Sequence, residues 1–134
     1  MAKFPSEEWA KDYVAALNEN QSYKEAGKDW EGDIIFEIEK DENLPQSFFL
    51  YLDLHHGTCR GFKTSTNLND LPKPQFRYRG KFGNWRRLIN GEIDPIQGIL
   101  TEKFKLDGSM IKIMRFTRAA KEMVNTATKV RTEF

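Results

Sequence analysis

The sequence predicts an α+β fold, a five-stranded and mainly antiparallel sheet with helices packed on one face. Three observations carry this. Apolar residues recur at helical spacing in the first twenty positions and again after residue 80, whereas over about 34–79 the period falls to two. The first three strand-like runs are also joined by connections too short to hold a helix, which favours antiparallel pairing. The length, 134 residues, predicts one domain over 1–134, large enough to bury a core without disulfides or metals. Large side chains make that core, since there are ten phenylalanines, four tyrosines and three tryptophans.

Residues 6–19 read as a helix. Ser6 can cap it, Glu7 and Glu8 sit in the first turn where the helix dipole favours negative charge, and Trp9, Tyr13 and Leu17 share one face. A second short helix covers 21–28 and stops at Gly27 or soon after. Over 34–39, Ile34, Phe36 and Ile38 fall on one face and Glu37 and Glu39 on the other, the pattern of a half-buried strand. After a turn at 41–45, Phe48, Leu50, Leu52 and Leu54 continue the alternation, with Phe49, Tyr51 and Asp53 opposite. His55, His56 and Gly57 reverse the chain into a strand over 58–63, forming a hairpin. A loop at 64–74 leads to a strand at 75–79 with Phe76 and Tyr78 inward.

A helix over 82–90 offers Trp85, Leu88 and Ile89 and stops at Gly91, the residue type that best tolerates a left-handed position after a helix. The next helix starts at Asp94, a cap followed by Pro95, and carries Ile96, Ile99 and Leu100. A last strand runs over 104–106. From Gly108 and Ser109 a single helix of about 16 residues extends to roughly Asn125. Arg115, Arg118, Glu122 and Asn125 form its polar arc. Met110, Ile113, Met114, Phe116, Ala120, Met123 and Val124 cover about half the circumference, more than packing on one sheet needs. Residues 129–134 read as frayed.

Composition excludes several classes. No apolar run approaches the roughly 18 residues of a membrane span, and residues 1–8 lack the apolar stretch of a secretory signal. The lone Cys59 fits a reducing compartment, so a cytoplasmic protein is expected. The formal charge of +1 is unlike a nucleic-acid-binding domain, so no nucleic-acid partner is expected. The near-neutral total hides segregation: Lys73, Arg77, Arg79, Lys81, Arg86 and Arg87 occur over 73–87 with no acid. Asp29, Glu31, Asp33, Glu37, Glu39, Asp41 and Glu42 occur over 29–42 with only Lys40. If the two strands are neighbours, Glu37 or Glu39 meets Arg77 or Arg79; the alternative keeps Arg86 and Arg87 for an anionic headgroup or a membrane surface.

Little else suggests chemistry. Adjacent residues at a strand end point to opposite sides, so His55 and His56 are not expected to share a metal, and no third ligand is spaced to help. Cys59 faces inward, where a thiol is inert. Phe49, Tyr51 and Phe62 are expected on the face away from the core, an aromatic surface suited to a homodimer contact.

The segment 85–110, Trp-Arg-Arg-Leu-Ile-Asn-Gly-Glu-Ile-Asp-Pro-Ile-Gln-Gly-Ile-Leu-Thr-Glu-Lys-Phe-Lys-Leu-Asp-Gly-Ser-Met, resembles the signature stretch of the sterol carrier protein 2 family. Gly91, Asp94, Pro95, Lys103, Lys105 and Gly108 match its fixed points. Residues 30–32 and 52–57 resemble stand-alone prokaryotic members, and the likeness covers about 6–125. Glu102 is a departure, since many members carry glycine there.

The resemblance implies an apolar tunnel between sheet and helices for a fatty acid, acyl-CoA, phospholipid or sterol, with no catalytic residue and no cofactor. One wall would be Ile34, Phe36, Phe48, Leu50, Leu52, Phe76, Tyr78 and Phe104. The other would be Trp85, Leu88, Ile89, Ile96, Ile99, Leu100, Met110, Ile113 and Met114, with Arg86 or Arg87 at the headgroup and transient contact with a membrane surface. Two alternatives remain open: an interaction module of the same fold with a filled core, docking through Phe49, Tyr51 and Phe62, and an acyl-thioester enzyme with Asp53, His55 or His56 lining the pocket.

Overall fold

Local sequence starts several of the helices in the computed structural model, which describes residues 1–134. After β1 (Ala2–Lys3), helix α1 (Glu7–Glu19) begins where the Ser6 hydroxyl accepts a hydrogen bond from the Trp9 amide at 3.0 Å. Asn20 caps α2 (Gln21–Ala26) by accepting from the Tyr23 amide. Strands β2 (Ile34–Glu39), β3 (Phe48–His55), β4 (Thr58–Ser65) and β5 (Phe76–Lys81) follow, then α3 (Phe82–Ile89). Helix α4 (Pro95–Leu100) is capped by Asp94, which accepts from the amides of Ile96 and Gln97. Strand β6 (Lys105–Asp107), α5 (Met110–Arg115), α6 (Thr117–Lys129) and β7 (Thr132–Glu133) complete the chain. No helix is long and apolar enough to cross a membrane.

The main sheet has the order β4-β3-β2-β5-β6 and is antiparallel except for the β2–β5 pair, as an α+β class with a mainly antiparallel sheet requires. Helix α1 lies across β4, α3 packs on β2 and β5, and α6 crosses α1, α2, α3 and α4. The buried Thr126 of α6 accepts from Asn20 Nδ2 at 2.9 Å, so the residue that caps α2 also fastens it to α6. The acidic and basic blocks meet as neighbouring strands: Arg77 pairs with Glu37, and Arg77 and Arg79 reach Asp107 of β6 at 3.7 and 3.4 Å.

Four expectations fail, each for a physical reason. The single helix after Gly108 is two, broken at Phe116 (φ −115, ψ 31), and its second part runs on to Lys129. There the Phe116 ring turns edge-on to Trp30 at 5.0 Å, and the Thr117 hydroxyl donates to the Met114 carbonyl. The tail is not frayed, because β7 pairs in parallel with β1 and Phe134 packs against Phe4 and Phe82.

Phe62 is on the helix side, opposite Leu52, because the register slips between Leu52 and Leu54; one extra residue in β4 flips every side chain beyond it. The outer face is not bare either. Ile35 is fully buried between its partners Tyr51 and Arg77, and Phe49 is 8% exposed. The exposed trio Phe49, Tyr51 and Phe62 expected as a dimer contact is therefore not presented. Glu102, in contrast, adopts the left-handed φ of 61° that explains a preference for glycine just after α4.

Candidate functional site

Phe36 lies in the middle strand, ringed by Trp85 at 5.3 Å, Tyr13 at 6.4 Å and Tyr78 at 6.5 Å between centroids, yet it is only half-buried. The reason is a cavity of about 100 Å³ over the sheet. Its floor is Ile34, Phe36, Ile38, Leu50, Leu54 and Tyr78, with Leu106 beside them. Helix α3 supplies Trp85, Leu88 and Ile89; α4 supplies Pro95, Ile96 and Ile99; Trp9 and Tyr13 come from α1, and Tyr23 from α2. The two helices beyond residue 109 close it with Ile113, Phe116, Ala119, Ala120, Met123, Val124 and Ala127, and Phe4 and Trp30 complete the wall.

No charged side chain borders this space. Five of the six polar ring atoms in the wall, all but Tyr23 Oη, are also engaged: Trp85 Nε1 donates to the Glu37 carbonyl at 2.9 Å, Tyr78 Oη to that of Pro95 at 2.8 Å and Tyr13 Oη to that of Met123 at 3.1 Å. Trp9 Nε1 donates to Thr132 Oγ1 and Trp30 Nε1 to the Gly32 carbonyl, each at 2.8 Å. Burial pushes the hydroxyls of Tyr13, Tyr23 and Tyr78 far above the ordinary phenol range, so the walls stay neutral. A water needs roughly 10–15 Å³ of such space and two or more polar partners, so the cavity has room for several waters but too few polar partners to hold them.

Of the expected wall residues, the structure brings Ile34, Phe36, Leu50, Tyr78, Trp85, Leu88, Ile89, Ile96, Ile99 and Ile113 together around the cavity. Seven are elsewhere. Phe104 is wedged so closely against Gly80 and Gly98 that a Cβ on either would meet its ring at 2.6 and 2.9 Å, behind Tyr78 stacked at 4.7 Å. Phe76 is sealed behind Trp30, and Leu52 is fully buried between Ile34 and Phe62. Phe48 is half-buried at the sheet end opposite Ile38, and Met110 half-buried at the start of α5; neither borders the cavity.

Met114 points outward, 48% exposed, because the break at Phe116 orients α5 separately and Ile113 and Phe116 become its inner face, and Leu100 at the end of α4 is 61% exposed. With Ile111, 71% exposed, they form apolar edges beside the wall residues Ile99 and Ile113. Neither arginine borders the cavity: Arg86 lies over the Phe134 ring and Arg87 faces Glu92 at 3.8 Å. Sequence reasoning missed Phe4, Trp9, Tyr13, Tyr23, Trp30 and Phe116 as wall, although the 3.6-residue spacing of Trp9 and Tyr13 already marked an inward face.

The hairpin differs from expectation. Its two-residue turn places His56 (φ 51) and Gly57 (φ 78) in left-handed conformations, and a Cβ at Gly57 would meet the Lys24 carbonyl oxygen at 2.4 Å. That turn brings the His55 and His56 rings to 4.2 Å instead of sending them apart, and His56 Nε2 lies 3.0 Å from Glu31 Oε2. The hydrogen bond and charge of His56 hold the Glu31 carboxyl below its ordinary range. Asp53 pairs with Arg60 on the outer face, and none of Asp53, His55 and His56 lines the cavity. Cys59 is buried, its thiol pushed up by desolvation.

An uncharged, apolar cavity between a mainly antiparallel sheet and a helical cover defines the class of this small α+β domain. The chain belongs to the SCP-2 sterol transfer family, which matches residues 11–121 and places it among lipid-binding and lipid-transfer proteins in general. A crystal structure of sterol carrier protein 2 is 27% identical, with a TM-score of 0.84 over 93% of this chain and 97% of that one. A conserved protein of Thermus thermophilus, described as a candidate sterol carrier protein, is also 27% identical, with a TM-score of 0.85 over 96% and 90% of the two chains. A palmitated protein of Aedes aegypti shares the fold at 10% identity, with a TM-score of 0.59 over 86% and 94%. No curated protein matches this sequence.

Proposed function

We propose that this chain binds a lipid with its apolar part in the cavity and carries it between membranes in the cytoplasm, without changing it chemically. The occupant is a fatty acid, fatty acyl-CoA, phospholipid or sterol-like molecule. The observation that carries the reading is a cavity of about 100 Å³ with no charged group in its lining. A filled-core interaction module does not need such a space. The Aedes aegypti protein is described as palmitated, which favours an acyl chain as the occupant.

Magnitudes select long chains. Each buried methylene contributes about 0.8 kcal/mol, while association costs at least about 4 kcal/mol. Micromolar binding needs about 8 kcal/mol net, hence roughly 15 buried methylenes. A chain of that length outgrows the space present, so the wall must yield on uptake, and the break at Phe116 is where a short α5 can swing without unwinding a long helix. The apolar edges Leu100, Ile111 and Met114, with the exposed Arg115 beside them, suit brief contact with an anionic lipid surface at delivery.

Native mass spectrometry of the purified protein, followed by titration with a fluorescent long-chain fatty acid, tests the proposal. Copurified lipid or saturable one-to-one uptake is expected. Protein that carries nothing and takes up no acyl ligand refutes it. Hydrolysis of an acyl thioester that disappears when His55 or His56 is changed supports an enzyme instead.

A further inference from the structure

Glu31, His55 and His56 form a cluster that the cavity does not use, and the backbone places all three. Glu31 bridges His55 in antiparallel fashion, and the His56 amide donates to the Trp30 carbonyl at 2.7 Å. One donor atom from each side chain lies within 4.8 Å of the others, with His56 Nε2 and Glu31 Oε2 already at 3.0 Å. Around a tetrahedral ion with bonds of about 2.0–2.1 Å, ligand atoms stand about 3.3 Å apart. Side-chain rotations that change these separations by up to about 1.5 Å therefore close this cluster on an ion.

The donor set specifies the class of ion. Two imidazoles and one carboxylate suit zinc and its transition-metal neighbours, whereas magnesium and calcium take oxygen ligands. The side chains of His56 and Glu31 are 49% and 67% exposed, so water completes the coordination. Lys112 on α5 directs its Nζ to the Glu31 carbonyl oxygen and over the Trp30 ring, leaving the carboxylate to the histidines. The left-handed backbone at His56 is unusual for a side-chain-bearing residue, and it is what turns that imidazole toward the other two groups.

We propose that Glu31, His55 and His56 bind one divalent transition-metal ion of the zinc class. Each of two ligands follows a wall residue, Glu31 after Trp30 and His55 after Leu54, so the ion ties residues 30–32 to the β3–β4 hairpin at one end of the cavity.

Isothermal titration of untagged protein with zinc chloride is expected to show one site per chain. His56→Asn removes the imidazole but keeps a residue type that tolerates the left-handed turn; Glu31→Gln and His55→Gln remove the other donors. Each weakens zinc binding by at least about tenfold, the loss seen even for an outer hydrogen-bond partner of a metal ligand. Each retains the circular dichroism spectrum and fatty-acid uptake of the wild type. No saturable zinc uptake by wild type, unchanged binding in the folded Glu31→Gln/His56→Asn double variant, or displacement of zinc by equimolar magnesium overturns the proposal.

Discussion

Ile99 lines the cavity from α4, whereas Met114, its expected companion in the wall, is 48% exposed on α5. Tryptophan at each position makes a matched pair of perturbations. In Ile99→Trp the indole adds roughly six heavy atoms inside the cavity and displaces about four methylenes of ligand, a loss of about 3 kcal/mol. Fatty-acid affinity should fall about 100-fold. In Met114→Trp the ring enters solvent, and affinity stays within about twofold of wild type.

Stability separates blocked binding from damage. Filling about 100 Å³ recovers up to about 2 kcal/mol at ~24 cal/mol per Å³, against about 1–3 kcal/mol for forcing a larger ring into a packed wall. The ligand-free Ile99→Trp protein should thus unfold near the wild-type urea midpoint. Binding is read by displacement of a fluorescent fatty acid. A folded Ile99→Trp protein that binds as wild type, or a Met114→Trp protein that loses as much, refutes the placement of the ligand.

Three further outcomes follow from the packing. Tyr51 is pushed up to about 12 by burial and its hydrogen bond to Asp33, and burial raises Tyr13, Tyr23 and Tyr78 as well. Near-ultraviolet titration should therefore show no native tyrosine ionising near its ordinary pKa of about 10, while the urea-unfolded chain titrates there. Because raised folded-state values stabilise below the unfolded pKa, the contribution of Tyr51 is complete below about pH 10 and is lost as pH climbs toward about 12. Deleting residues 131–134 removes the β1–β7 pair, the Trp9–Thr132 hydrogen bond and the Phe134 packing, and should cost about 2–4 kcal/mol in urea unfolding. Glu102→Gly relieves a left-handed residue costing about 1–2 kcal/mol but adds unfolded-state freedom of about 0.5–1 kcal/mol; a stabilisation of about 0.5–1 kcal/mol is expected by the same measurement.

The legible part of the fold was the part set by neighbours in sequence. Ser6 and Asp94 cap helices with their own side chains, and Ile34, Phe36 and Ile38 alternate in a strand whose antiparallel partner is one turn away along the chain. The failures come from contacts that no window reveals. Two residues at each terminus are too short to announce a strand, yet Phe4 and Phe134 hold them together across the whole chain. The slip in β4 is a single extra residue, and it reverses Phe62 without altering composition. In the cavity, ten wall residues were legible because a helix or strand period points them inward. Phe76 and Phe104 share that period, but Trp30 and Tyr78 stand in front of them.

An apolar void also gives the molecule a mechanical signature. A space of about 100 Å³ per molecule amounts to about 60 mL per mole, within the range of volume lost when folded proteins open. If unfolding eliminates it, each kilobar of hydrostatic pressure adds about 1.4 kcal/mol in favour of the unfolded chain, a tenfold change in the equilibrium. A lipid that fills the void withdraws that volume, so the loaded and empty forms are distinguished by compression as well as by heat.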